Sequence, residues 1–361
     1  MIYVVVTIIL IFASLLDYIE IPKKLRITLI YLLNAMLIFM SGLRYETGHD
    51  YYNYINIFDN LNGFKDYFAS YQSSPVEVGY ALLNIIIKDL GGGPEVLYFI
   101  IAFLTIVIFS YAINKQTKHY FTTMLMFYFL LYYENTMGHI RAGMAMAIIL
   151  CSIKYIEKQD FIKFLALIIT AASFHSTALV VLPVYFIKKY EPSKQIITVT
   201  ILAAFLIGRI NIIAILVKYI ELININFYLT NKILNYASNE VLTDSFKTII
   251  IRLGILIAFI LSEKNIGDKL KNYKAVMYMQ YLGTLMLLML SSSPSDFGTR
   301  GTRSLFFIQI LILPSLLQNV KNIYLKIMAH FVIVLYGLFL FLSYMSVYGY
   351  AFFPYKNIFL K

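Results

Sequence analysis

Gly42-Leu43-Arg44-Tyr45-Glu46-Thr47-Gly48-His49-Asp50-Tyr51-Tyr52-Asn53-Tyr54 follows an apolar run, Thr28 to Met40, that carries no charge. Over these residues the chain passes from hydrocarbon-compatible sequence to sequence holding Arg, Glu, His and Asp, interleaved with tyrosines. Such a change marks a membrane segment emerging into water through an aromatic interface belt. Taken alone, the stretch reads equally well as a loop with an interfacial Arg and Tyr fringe. The distinction rests on whether further Arg and His clusters emerge on the same side.

The 361 residues are 60% hydrophobic and 14% charged, with a mean hydropathy of +0.75. Soluble domains carry about 25% charged residues, so the chain reads as an all-α, polytopic integral membrane protein, a single membrane domain over 1–361. The net charge of +11 follows from the basic loops of such a protein and implies no nucleic-acid partner. The one cysteine, Cys151, lies in an apolar run and reads as a small buried hydrophobe. The first segment lacks a basic start and reads as a retained span rather than a cleaved signal.

A spanning helix needs about 20 mostly apolar residues. Spans are expected near 2–19, 26–43, 95–114, 120–135, 139–157, 195–217, 246–262, 274–292, 303–319 and 325–347. The apolar run 161–187 is broken at Ser173-Phe174-His175-Ser176-Thr177, and 76–91 holds Glu77, Lys88 and Asp89. Short basic loops occur at 22–26, 115–118, 154–163, 188–194, 264–274 and 321–326. Placing them all in the cytoplasm makes 161–187 a hairpin of two short helices with His175 at its outer tip. By the same parity 76–91 becomes a re-entrant or interfacial helix. About twelve transmembrane helices result, with both termini outside and outer loops near 44–75, 134–141, 218–247 and 291–303.

Four arginines then sit at outer helix ends: Arg44, Arg141, Arg300 and Arg303. A guanidinium beside the exposed N–H groups of a helix start is a natural anion site, suited to phosphate at a membrane surface. Any one of them could equally be an arginine snorkelling to the headgroups; four around one face favour a common site. His175 lies where a helix breaks in apolar sequence, and an ionisable group at such depth marks a functional candidate. Histidine, with an ordinary pKa of about 6.5, can serve as a general base. Glu77 and Asp50 are carboxylates on the same side and could be the base instead. No HxxxH, DxD or Cys/His spacing appears among the five scattered histidines, so no metal is expected, and no nucleotide or dinucleotide fingerprint implies a cofactor.

Four segments in order resemble the EpsG family of bacterial Wzy-type polysaccharide polymerases. They are Arg44 to Tyr54 (Arg-Tyr-x-x-Gly-x-Asp-Tyr-x-x-Tyr), Glu77-x-Gly79-Tyr80 with Asn84, Ile140-Arg141-Ala142-Gly143-Met144-Ala145, and Lys163-Phe164 followed by Phe174-His175-Ser176-Thr177-Ala178. The resemblance covers roughly residues 40–185; beyond it only the hydropathy profile and the Arg300–Phe307 stretch correspond. Ala142 departs from the Gln often found in the family at that place. The resemblance implies a metal-independent, GT-C-like membrane glycosyltransferase. Its substrate would be an undecaprenyl-pyrophosphate-linked oligosaccharide on the outer face of the bacterial inner membrane, facing the periplasm or cell exterior. The growing glycan would pass from its lipid carrier to the non-reducing-end hydroxyl of a new unit. Arg141, Arg300, Arg303 and Arg44 would then bind pyrophosphate, with His175, or Glu77 or Asp50 in its place, as base. Tyr51, Tyr54, Tyr80 and His139 would face the sugars. Membrane lipid and, by resemblance only, a chain-length regulator protein are the expected partners. A flippase or transporter of the same lipid-linked sugar would use the same arginines without a base. A membrane acyltransferase would use the histidine and leave the arginines unexplained.

Overall fold

In hydrocarbon a backbone must satisfy its own N–H and C=O groups, and the apolar runs of this chain do so as helices. The computed structural model describes residues 2–70, 76–223, 246–267, 270–294 and 296–359. In order, the helices are α1 (Ile2–Ser14), α2 (Lys23–Gly42), α3 (Tyr51–Asn60), α4 (Phe64–Ser70), α5 (Val78–Asp89), α6 (Pro94–Gln116) and α7 (Tyr120–Phe127). The last continues as a π-helix, Tyr128–Gly138. After it come α8 (Ile140–Glu157), α9 (Phe161–Ala172), α10 (Leu182–Tyr190), α11 (Lys194–Ile207), α12 (Ile212–Ile223), α13 (Phe246–Leu261), α14 (Glu263–Ile266), α15 (Tyr273–Met289), α16 (Gly301–Phe306), α17 (Gln309–Leu316) and α18 (Ile323–Tyr348). Among the described residues the sheet is a two-residue antiparallel pair, β1 (Arg44–Tyr45) with β2 (Lys356–Asn357). It ties the end of α2 to the last segment.

Among the described residues three helices, α2, α6 and α18, are long and apolar enough to cross a membrane, and up to five spans result if each of two bent pairs counts as one. The bent pairs are α11 with α12, at 63°, and the 298–306 segment with α17, at 55°. The first bend is fastened from outside: Ser291 Oγ and Ser292 Oγ donate to Gly208 O at 3.0 and 2.6 Å. About twelve crossings would require the shorter apolar helices to cross as well.

The 161–187 stretch does turn back at its break. Tyr185 stacks on Phe164, ring centroids 5.4 Å apart, and donates to Gln159 O at 2.7 Å. Two of the expected outer segments contain helix. The 44–75 segment carries α3 and α4, and 134–141 is the end of the π-helix running into α8 with a turn only at His139. Of the expected loop 218–247, residues 224–245 lie outside the described residues.

Gly143 lets α8 lie against the backbone of the π-helix, since a Cβ there would overlap Asn135 O. Gly254, inside α13, faces open space. Alanine ordinarily stabilises a helix interior by about 1 kcal/mol relative to glycine. Gly254→Ala should therefore hold or raise the melting temperature of the detergent-purified protein. Gly143→Ala should lower it, by overpacking worth about 1–3 kcal/mol. Equal shifts for the two would contradict this packing.

Candidate functional site

Two broken helix ends meet and cap each other. The first N–H groups of a helix and its last carbonyls have no partner within it. At the end of α9 the free carbonyl of Ser173 accepts from Gly79 N at 2.7 Å and Tyr80 N at 3.2 Å, both in the first turn of α5. This splice brings Glu77, the residue before α5, against the His175 break. Glu77 Oε1 lies 3.5 Å from His175 Nδ1 and accepts from Ser176 N at 3.3 Å. Its other oxygen pairs with Arg141 Nη1 from the first turn of α8. Glu77, Arg141 and His175, expected from sequence to share a site, come together around one carboxylate. All three remain partly exposed, their side chains 17%, 25% and 30% accessible.

Burial would raise the Glu77 carboxyl. Hydrogen bonding with His175 and the charges of Arg141 and His175 outweigh that and hold it at about 2. Glu77 is thus a fixed anion at neutral pH, suited to orienting an imidazole and a guanidinium.

A second cluster adjoins this one across the turn at His139. The π-helix delivers it: its last N–H, on His139, donates to Glu134 O at 2.6 Å, and π segments recur at functional sites. Gly48, with φ +108°, lets the 46–50 loop lie on the end of this helix, where a Cβ would overlap Met137 O. Asp50 and His49 thereby reach His139. Asp50 Oδ2 is 3.7 Å from His139 Nε2, and His49 Nε2 is 3.3 Å from it. From α16, Arg303 donates to His139 Nδ1 at 3.1 Å and pairs with Glu134 at 2.7 Å. Arginine only donates, so His139 Nδ1 must accept, and the neutral ring then carries its proton on Nε2. His49 Nδ1 lies 3.3 Å from Tyr344 OH. Thr177 Oγ1 and Ser304 Oγ, 2.9 Å apart, join the His175 segment to α16.

His49, Asp50 and His139 bring ligand atoms within 4.8 Å of one another and could hold a cation. The donor set suits one poorly. The His139 nitrogen facing the cluster is the protonated one, and a guanidinium sits on the other side of the ring. Sequence spacing could not show this cluster, because its two histidines are 90 positions apart.

Four expected residues take other places. Arg44 is 1% exposed and is corrected from a pyrophosphate ligand to a buried clamp. It donates to Ser41 O at 2.6 Å and Thr47 O at 3.0 Å, and its guanidinium lies 4.4 Å from the Tyr98 ring centroid. Tyr51, Tyr54 and Tyr80 are buried rather than open to sugars. Tyr51 stacks on Tyr98, and Tyr54 and Tyr80 support the Arg141 guanidinium from below at 5.8 and 5.7 Å. Arg300 is exposed at the end of the segment leading into α16. Sequence reasoning missed Glu134 and Tyr344. Glu134, a charge at the end of an apolar run, carried a readable signal; Tyr344 carried none.

The depressed Glu77 value has a sign. Its stabilising contribution is complete above about 4.5, the ordinary value, and is lost as pH falls toward about 2. Glu77→Gln should destabilise the protein at pH 7 by about 1.5–3 kcal/mol, because it removes a charge-assisted contact from a mostly buried guanidinium. The gap in thermal unfolding between the two forms should begin to close below about pH 4.5 and vanish only toward about pH 2. A gap that persists undiminished at pH 3 would contradict the assignment.

The EpsG family model matches residues 27–357. No curated protein and no solved structure matches the chain. With a family model spanning nearly its whole length, and the sequence segments of that family converging on one end of the helical bundle, the chain belongs to the EpsG family.

Proposed function

We propose that this protein is a polysaccharide polymerase of the glycosyltransferase class. It moves a growing glycan from undecaprenyl pyrophosphate to the non-reducing-end hydroxyl of a lipid-linked repeat unit. The reaction takes place on the outer face of the bacterial inner membrane. Membership of the EpsG family supports a polysaccharide-polymerase role in general. The observation that carries the finer reading is the Glu77 carboxylate held between Arg141 and His175, beside Arg303 and His139.

The chemistry needs two things from the protein: charge stabilisation for a departing pyrophosphate and a base for the acceptor hydroxyl. His175 turns Nδ1 toward Glu77, which leaves Nε2 to take the hydroxyl proton. The acceptor oxygen then bonds to the anomeric carbon, and the carbon–oxygen bond to pyrophosphate breaks with its electron pair leaving on the pyrophosphate. Arg141, Arg303 and Arg300 receive that charge. Glu77, held ionised down to about 2, is too weak a base for neutral pH and acts by positioning. Asp50 stands against His139 and orients that ring. No cofactor enters the scheme. The proposal includes the GT-C-like architecture with about twelve crossings, the periplasmic or outward-facing site, and a chain-length regulator as partner.

Purified protein would be mixed with lipid-pyrophosphate-linked repeat unit and no nucleotide sugar, and the products resolved by size. A ladder should form. Arg141→Ala should slow it on the order of 10²–10³-fold, as loss of an oxyanion donor does, and His175→Ala on the order of 10²–10⁴-fold, as loss of a general base does. A ladder unchanged in both variants would remove these residues from the site. Lipid-linked unit crossing the bilayer with no ladder would replace the polymerase by a flippase.

A further inference from the structure

The opposite end of the bundle carries a cavity with a basic rim that the proposed reaction does not use. It has a volume of about 330 Å³ and is lined by the C-terminal turns of α6 and α8 and the segment before α15. Four lysines surround it: Lys115, Lys154, Lys158 and Lys271. Among the described residues none of the four is ion-paired. Two carboxylates at this end, among the described residues, have other partners. Glu157 lies 3.9 Å from Lys188 and accepts from Ala275 N at 2.9 Å, and Asp160 pairs with Lys163 at 2.8 Å. Lys271 is held in place by its backbone, which donates to Gln116 O at 3.0 Å. Its neighbour Asn272, in the left-handed region at φ +61°, donates from Nδ2 to Gln116 Oε1 at 2.8 Å. Below the lysines the lining is apolar: Ala112 and Leu150 are buried, Cys151 is partly buried, and Tyr111 is 55% exposed.

Lysines gathered around one cavity attract an anion, and basic pockets between membrane helices take anionic headgroups. We infer that this cavity binds the phosphate of an anionic phospholipid. The lysines Lys115, Lys154, Lys158 and Lys271 would hold the headgroup, and the exposed Phe103, Val107 and Tyr111 face of α6 would meet the acyl chains. A lipid is favoured over a soluble phosphate because the basic rim continues into an exposed apolar stripe on one face of α6, Tyr111, Val107 and Phe103. About 13 residues of α8 separate Lys154 from Arg141, roughly 20 Å of helix rise, so this site is independent of the proposed chemistry.

Native mass spectrometry of the delipidated protein would compare dioleoyl-phosphatidylglycerol with dioleoyl-phosphatidylcholine, and inorganic pyrophosphate alone. Phosphatidylglycerol should bind in preference. Lys115→Gln/Lys271→Gln should weaken it about 25-fold, roughly fivefold for each lysine near a headgroup, with phosphatidylcholine unchanged. Cys151, the single cysteine, supplies a second readout that needs no variant. Phosphatidylglycerol should slow its alkylation by N-ethylmaleimide in the wild-type protein, and phosphatidylcholine should not. Equal binding of the two lipids, or wild-type alkylation indifferent to phosphatidylglycerol, would overturn the inference. Binding of pyrophosphate without binding of phosphatidylglycerol would overturn the lipid assignment in favour of a soluble phosphate.

Discussion

One carboxylate joins three segments that are far apart in the chain. Glu77 meets Arg141 at the start of α8, and meets His175 and the Ser176 amide at the break after α9. It can do so because the first amides of α5 cap the last carbonyl of the broken helix. Each element alone would leave the terminal polar backbone groups of a helix without partners. The break is stable because another helix end completes it, and the completion is what brings the ionic groups together. Fold and candidate chemistry thus rest on the same hydrogen bonds.

The second cluster extends this core by a different device. A π-helix ends at Gly138, its wider turn setting His139 at the point where Arg303, His49 and Asp50 approach. Arg303 fixes the His139 tautomer, and the ring's remaining proton faces the His49–Asp50 side. The two clusters share the first turn of α8, with His139 serving one and Arg141 the other. A glycan passing from carrier to acceptor would therefore meet guanidinium, imidazole and carboxylate groups within a few residues of one helix start.

Much of this was legible in the sequence. The interruption at Ser173–Thr177 marked a turned-back helix pair, and the ordered segments around Glu77, Arg141 and His175 marked their convergence. What the sequence could not show was depth. Arg44 follows the end of its helix just as Arg141 opens another, yet its guanidinium is buried and turned back onto Ser41 O and Thr47 O. Tyr51, Tyr54 and Tyr80 look like an interfacial belt because buried and surface tyrosines share the same pattern; here they form the layer beneath Arg141. The His49–His139 contact depends on tertiary approach, enabled by the backbone of Gly48, and leaves no periodic trace.

The central claim is a division of labour: Arg141 holds the pyrophosphate and His175 handles the proton. Equilibrium binding of undecaprenyl pyrophosphate to the purified protein tests it most directly. Arg141→Gln should weaken binding at least about tenfold, since it removes a charge-assisted contact worth about 1.5–3 kcal/mol. His175→Gln should leave the affinity near that of the wild type. Unaltered binding by Arg141→Gln, or an equal loss in both variants, would contradict the account.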